Sequence, residues 1–323
     1  MFKEQNIKRL VGIDAFRYFA FIAVVVLHCV PWVEDYGVEI NIFKNLARFA
    51  VPFFFIASGY FLGRSNPAFI AGTLKAFLRL APIFIFWTLA YLFLFGDLTD
   101  LAEPHKLVKI FISGGSAYHM WFLPALGTSL VLLLAVKDMN ARIVVAFASL
   151  LYLIGLALGP YSDVLDLSAY AFRTRNGPFF GFALVTLGFY LSQRDIRLTF
   201  RKGVMIASAG LLLQISEAIF ISYMTHKSFT GYDFLLGTII FGAGVFVMAL
   251  NSNENALIRQ ASEIGFATLG MYCIHVFFIV VLMNILDVYV LWQLILIILL
   301  VVISSSIVSV FAGKIPYLQR VFK

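Results

Sequence analysis

The sequence has little charge for its length. Charged side chains make up only 13% of its 323 residues, whereas 62% of the residues are hydrophobic. A soluble domain usually has about a quarter of its residues charged. Apolar runs of about twenty residues recur along the chain, and runs of that length cross a hydrocarbon layer as helices. We therefore predict an all-α, polytopic membrane protein.

Cysteine is also scarce, which excludes two further classes of protein. Cys29 and Cys273 are the two cysteines, too few for a disulfide framework and without metal-ligand spacing. We interpret both as small core side chains and expect no metal cofactor. The net charge is +7, but the basic residues form no stripe with interleaved aromatics, so no nucleic-acid partner is expected.

The apolar runs predict about ten transmembrane helices in a single domain, residues 1–323, without a separate soluble domain. The predicted spans are 10–33, 44–63, 76–95, 118–136, 142–159, 177–192, 203–224, 233–250, 264–286 and 289–312. The first run is of full length and lacks a small-residue cleavage site, which predicts no cleaved signal peptide.

The lysines and arginines predict the orientation in the membrane, because cytoplasmic loops carry an excess of them. With the N-terminus in the cytoplasm, sixteen basic residues lie on the inner side and seven on the outer side. An even number of spans then places both termini in the cytoplasm.

The first predicted span contains three ionisable residues, Asp14, Arg17 and His28. Ionisable groups inside a membrane are costly, so each is a functional candidate. Arg17 and His28 return to the same helical face, about 16 Å apart along the axis. Asp14 is one turn from Arg17 and can pair with it. The structural alternative is a packing arginine and a buried, hydrogen-bonded histidine.

The segment Gly12–Arg17, followed by His28, resembles the signature of the membrane acyltransferase 3 family. Four further stretches resemble family motifs in the same order: Pro52–Leu62, Lys75–Pro82, His119–Leu123 and Gly270–His275. Lys75 stands where the family usually has an arginine. The resemblance covers residues 8 to about 280. It implies an integral enzyme of the bacterial cytoplasmic (inner) membrane that O-acylates surface polysaccharides, such as lipopolysaccharide O-antigen.

The resemblance implies acyl-CoA, most simply acetyl-CoA, as the acyl donor and co-substrate. Arginine binds phosphate bidentately and stays charged when buried, so Arg17, Lys75 and Arg79 are expected to bind the CoA phosphates. For Lys75 and Arg79 the alternative is an ordinary basic flank of a membrane helix. Ser58 is expected to donate a hydrogen bond in the donor tunnel, and close helix packing is the alternative.

His28 would meet the thioester end of the donor. A neutral imidazole can take the proton of an attacking hydroxyl as a general base. A covalent acyl-histidine is the other possibility, and both stay open at this point. Asp14 completes the predicted catalytic group by orienting Arg17.

The acceptor is expected to be a glycan or a polyprenyl-linked saccharide. His119, Trp121, His275 and Glu217 are the candidate acceptor-binding residues. Each has a structural alternative: an interfacial anchor for Trp121 and a packed, hydrogen-bonded polar group for the others.

Two other functions compete with glycan acylation. Ten helices with buried ionisable groups also suit a polysaccharide exporter or a secondary transporter. Such transporters often contain paired, interrupted helices in two halves, and the sequence shows no internal repeat. An acyltransferase for a small molecule or a peptidoglycan sugar is the third possibility.

Overall fold

The computed structural model is helical throughout the part of the chain that it describes. That part comprises residues 10–30, 38–64, 69–96, 103, 105–106, 110, 114–194, 198–226, 231–232, 234–286, 288 and 290–322. Side chains are described from residue 42 in the second helix and from residue 77 in the fourth. No strand occurs among these residues, so the predicted all-α fold is confirmed over them.

Thirteen α-helices follow one another in these ranges. They are α1 (Val11–Cys29), α2 (Val38–Ala47), α3 (Ala50–Arg64), α4 (Phe69–Phe95), α5 (Phe122–Val136), α6 (Ala141–Leu158), α7 (Phe182–Gln193), α8 (Phe200–Thr225), α9 (Leu236–Leu250), α10 (Ala256–Gly265), α11 (Thr268–Ile285), α12 (Leu291–Ala312) and α13 (Pro316–Phe322). A short 3₁₀ turn (Ser168–Tyr170) and a π-helical turn (Gly177–Gly181) lie between α6 and α7.

Seven of the helical segments in the described ranges are long and apolar enough to cross a membrane. They are Val11–Cys29, Ile42–Arg64, Phe77–Phe95, Ala141–Leu158, Phe200–Thr225, Thr268–Ile285 and Leu291–Ala312. Helices α5 and α9 are apolar but have only 15 residues each. The chain is therefore a multi-pass membrane protein. The predicted count of about ten spans is not confirmed, and the orientation remains a prediction.

The structure differs from the predicted spans most clearly at the second and the ninth. The second span begins with α2 and continues as α3 after a turn at residues 48–49. A ten-residue helix, α10, precedes the ninth span and was absent from the predicted spans. One face of α10 is apolar and the other is polar, with the charged residues Arg259 and Glu263. The segment is therefore not a continuous apolar run, and hydropathy alone does not predict it.

Helices α3 and α7 pack closely through glycines. A Cβ atom at Gly59 would overlap the carbonyl oxygen of Val185, and one at Gly188 would overlap that of Ile56. Small residues allow such an approach of helix backbones in membranes. The resulting contact fixes α3, which carries Ser58 and Phe61, against the rest of the bundle.

The aromatic core lies between α3, α5 and α9. Phe53, Phe55 and Phe246 are fully buried, and the ring of Phe55 meets that of Phe122 edge to face at a centroid distance of 4.9 Å. Such pairs stabilise a core beyond the area that they bury. This core places α1, α3, α5 and α11 around the residues of the candidate site.

Candidate active site

Arg17 lies in the second turn of α1 beside the carboxylate of Asp14. The Arg17 Nη1 atom is 3.0 Å from Asp14 Oδ1, as the spacing predicted. The guanidinium carbon lies 4.8 Å from the centre of the Phe61 ring on α3. A planar guanidinium held by a carboxylate on one side and an aromatic face on the other has a fixed direction.

Arg17 and Arg79 line the same cavity, which we call the arginine cavity. Its volume is about 520 Å³. Phe54, Phe61 and Leu126 are among its apolar lining residues, so the cavity combines two cationic groups with an apolar lining. No residue in the described part of the chain forms an ion pair with Arg79, whereas Arg17 pairs with Asp14.

Ser58 and Lys75 are the two other residues that were predicted to bind the donor. Ser58 lines the arginine cavity, but its hydroxyl donates to the Phe54 carbonyl oxygen at 2.8 Å. In this arrangement Ser58 offers a ligand only an acceptor lone pair, not the hydrogen bond that was predicted. The side chain of Lys75 lies outside the described residues.

His28, near the other end of α1, contacts His275 on α11. The two rings are stacked, with centroids 5.1 Å apart and planes at 18°. His28 Nδ1 is 2.8 Å from His275 Nε2, and His275 Nδ1 is 2.6 Å from the carbonyl oxygen of Tyr272. His275 is fully buried, whereas His28 is partly buried.

These contacts determine the tautomers of the pair. A carbonyl oxygen only accepts hydrogen bonds, so His275 Nδ1 carries the hydrogen. Nε2 of a neutral His275 is then an acceptor, and His28 Nδ1 must donate to it. The lone pair of His28 is consequently on Nε2, the atom that a general base would use.

His119, at the turn before α5, completes a group of three histidines. Its ring lies 5.1 Å from that of His275 and 6.2 Å from that of His28, centroid to centroid. His119 is fully buried, and the hydroxyl of Tyr272 donates to its carbonyl oxygen. No group of three His, Cys, Asp or Glu side chains within the described ranges is arranged to hold a metal ion.

His28 and His119 line a second cavity of about 260 Å³, which we call the histidine cavity. Trp121 also lines it, so the structure brings two of the predicted acceptor-binding residues together there. His275 does not line either cavity and reaches the site through His28.

The two cavities share four lining residues. Val24, Val51, Phe122 and Tyr272 line both the arginine cavity and the histidine cavity. We call these four residues the neck. Arg17 therefore stands on one side of the neck and His28 on the other, along a single helix.

Glu217 lies apart from these residues and lines neither cavity. Its carboxylate accepts from the backbone amides of Leu236 at 3.1 Å and Gly237 at 2.7 Å, at the N-terminus of α9. The Tyr161 hydroxyl also donates to it. Burial and this contact raise the pKa of Tyr161. The surroundings of Glu217 are those of a helix-capping carboxylate.

Sequence reasoning assigned no role to several residues of the site. Tyr272 belongs to a recognised motif, yet its position in the neck has no sequence signal. Lys44 and Arg48 line the histidine cavity, although their positions in the sequence indicate only an ordinary basic segment. Arg175 lines it as well; the tyrosines and arginines of its loop, residues 160–176, suit a sugar or a lipid diphosphate and equally an ordinary interfacial loop. The convergence of these two segments on one cavity becomes visible only in three dimensions.

Curated relatives of the chain are much longer proteins. The chain is 29% identical to an amino-acid racemase of Enterococcus faecalis over 301 residues, which is 85% of this chain and 42% of that protein. It is 29% identical to a serine/alanine racemase of Enterococcus gallinarum over 295 residues, 82% of this chain and 40% of that protein. The chain thus spans about two fifths of the length of these relatives. No solved structure matches it significantly.

A family model described as an acyltransferase domain matches residues 10–313. The match includes both cavities, the neck and the three histidines. The chain belongs to the acyltransferase 3 family.

Proposed function

We propose that the protein transfers an acyl group, in the simplest case acetyl, from cytoplasmic acyl-CoA to a hydroxyl of a cell-surface or lipid-linked glycan. The observation that carries the proposal is the pair of cavities that share the neck residues, with Arg17 on one side and His28 on the other. A donor and an acceptor could then reach one reaction centre from opposite ends of the bundle.

The arginine cavity suits the donor. Arg17 and Arg79 supply positive charge for phosphate groups, and Arg17 keeps its direction through Asp14 and Phe61. The apolar walls suit the acyl-bearing arm, which would extend toward the neck. The predicted orientation places this cavity at the cytoplasmic side, where acyl-CoA is available.

The histidine cavity suits the acceptor. His28 Nε2 takes the proton of the acceptor hydroxyl while the hydroxyl oxygen attacks the thioester carbonyl carbon. The carbon–sulfur bond then breaks, and the leaving thiolate receives the proton from His28. The products are an ester on the acceptor and free CoA thiol, and no covalent acyl-histidine is required.

His275 is a positioning residue in this mechanism. Its Nε2 atom accepts from His28 Nδ1–H and so keeps the reactive lone pair on His28 Nε2. The imidazolium that forms on His28 during the reaction makes this hydrogen bond charge-assisted, and such bonds are stronger than neutral ones.

The test is acyl transfer by the purified protein in lipid nanodiscs, with radiolabelled acetyl-CoA and a membrane extract of the source organism. His28→Ala should lower the rate by at least about a hundredfold, since general-base catalysis contributes on that order. The matched control is His105→Ala, because His105 is exposed and lies outside both cavities. Unchanged transfer in His28→Ala would refute the role of His28.

Arg17→Lys tests the donor side of the same proposal. Lysine keeps the charge but cannot form bidentate contacts with phosphate. The KM for acetyl-CoA should rise about tenfold, the equivalent of one charge-assisted hydrogen bond. An unchanged KM would remove Arg17 from the donor site.

Two observations favour testing other functions as well. The relatives are named as racemases of amino acids, so serine should be tested as an acyl acceptor alongside glycans. Two cavities that share a neck would also suit an exporter or a secondary transporter. Uptake or release of a labelled solute by proteoliposomes, without any acetyl-CoA consumption, would favour transport over acyl transfer.

A further inference from the structure

Three cationic side chains from two segments of the chain converge on the histidine cavity. Lys44 comes from α2, Arg48 from the turn that follows it, and Arg175 from the segment just before the π-helical turn. All three are partly buried and line the same cavity as His28.

Arg175 is held in a defined direction. Its guanidinium carbon lies 4.7 Å from the centre of the Trp121 ring, and the next residue, Asn176, caps the π-helical turn by accepting from the amide of Phe179 at 3.1 Å. An arginine stacked on an aromatic face presents its edge for bidentate contacts with an oxyanion. Carboxylate and phosphate are the groups that match this geometry.

His119 is a further polar residue in the wall of the histidine cavity. Its Nε2 atom is 3.3 Å from the carbonyl oxygen of Cys273, so Nε2 carries the hydrogen and Nδ1 bears the lone pair. The Nδ1 atom is buried and has no hydrogen-bond partner within the described part of the chain. A buried polar atom of this kind is costly unless it is satisfied, and His119 lies in the wall of the histidine cavity.

We propose that the acceptor carries an oxyanion, a carboxylate or a phosphate, beside the hydroxyl that is acylated. Arg175 binds the oxyanion with Lys44 and Arg48 close by, while the reacting hydroxyl lies at His28. This inference rests on the proposed function, because it names the class of acceptor for the same site. Neutral glycans are then poor substrates.

The first experiment identifies the charge of the acylated product. The protein in nanodiscs is given radiolabelled acetyl-CoA and a membrane extract of the source organism, and the labelled product is applied to an anion-exchange column. Most label is expected to be retained. Loss of retention after phosphatase treatment identifies a phosphate, and loss only after carboxyl reduction identifies a carboxylate. A labelled product that runs through the column uncharged overturns the proposal.

The second experiment compares two neighbouring arginines. Arg175→Gln should lower the rate of labelling of the acidic product about tenfold or more, the equivalent of one charge-assisted hydrogen bond. Arg173→Gln is the matched control, because Arg173 is exposed and does not line the cavity; it should change the rate less than twofold. Arg175→Lys should restore part of the loss, since the charge remains.

A further readout separates acceptor binding from a general loss of structure. The KM for acetyl-CoA should be the same in Arg175→Gln and in the unmodified protein, because Arg175 does not line the arginine cavity. Equal rates in Arg175→Gln and Arg173→Gln, at equal donor KM, overturn the proposal. Absence of any labelled product from the unmodified protein refutes the proposed acyl transfer itself, which distinguishes the two failures.

Discussion

Replacing His275 with alanine removes the partner that fixes the tautomer of His28. The hydrogen bond between His28 Nδ1 and His275 Nε2 is 2.8 Å long, and His275 itself is anchored to the Tyr272 carbonyl oxygen. Without His275, the hydrogen of His28 can occupy either ring nitrogen. Only the form with a free Nε2 lone pair can accept the proton of the acceptor hydroxyl.

The expected loss follows from the strength of one charge-assisted hydrogen bond. Hydrogen bonds to charged groups contribute about 1.5–3 kcal/mol. Because His28 becomes an imidazolium only during the reaction, this energy is lost from the transition state and not from the ground state. At about 1.4 kcal/mol per factor of ten, kcat should fall by about 10- to 150-fold.

The assay is steady-state acyl transfer in nanodiscs, with the acetyl-CoA and acceptor concentrations varied separately. His275→Gln is the comparison, since its amide can both accept from His28 and donate to the Tyr272 carbonyl oxygen. It should retain more of kcat than the alanine variant does. The KM for acetyl-CoA should be unchanged in both, because His275 does not line the arginine cavity.

Either of two results would refute this reasoning. Full activity of His275→Ala would show that His28 needs no partner to present Nε2. A large rise in the KM for acetyl-CoA with an unchanged kcat would show that His275 supports the donor site and not the base.

Three further predictions concern the bundle and the neck. Gly59→Val should lower the free energy of unfolding by about 1–3 kcal/mol through overpacking against α7, measured by thermal denaturation in detergent; Gly127→Ala, whose added Cβ would meet only the ring of Phe77, is the tolerated control. Val51→Phe should stop acyl transfer while acetyl-CoA still binds, and Val51→Ala should admit longer acyl groups; equal chain-length profiles would contradict this role. Glu217→Gln should lower stability by about 1–2 kcal/mol through loss of charge at the N-terminus of α9; a raised acceptor KM at unchanged stability would instead return Glu217 to the acceptor site.

The sequence predicted the chemistry along one helix better than the architecture around it. Asp14 and Arg17 pair as their spacing indicated, because a three-residue separation on a helix fixes the geometry locally. The contact between His28 and His275 joins residues 247 positions apart, so it depends on how α1 packs against α11, which no local pattern contains.

The spans illustrate the same limit. Continuous apolar runs revealed the long helices, whereas α10 escaped because only one of its faces is apolar. Glu217 was a candidate because a carboxylate in an apolar run is costly. The helix N-terminus that binds it begins at Leu236, nineteen residues further along the chain, and hydropathy gives no sign of that pairing.

The position of the neck between the two ends has an electrical consequence for the proposed reaction. The acceptor hydroxyl loses its proton on the His28 side, and that proton leaves on the CoA thiol from the Arg17 side. In the predicted orientation, the acyl group moves outward as the proton moves inward, so a formal acylium ion is exchanged for a proton and no net charge crosses the membrane in a turnover. A membrane potential of 100 mV is worth about 2.3 kcal/mol for each charge that crosses, and this reaction therefore takes nothing from it. Collapsing the potential of proteoliposomes with an ionophore should then leave product formation at fixed acetyl-CoA unchanged.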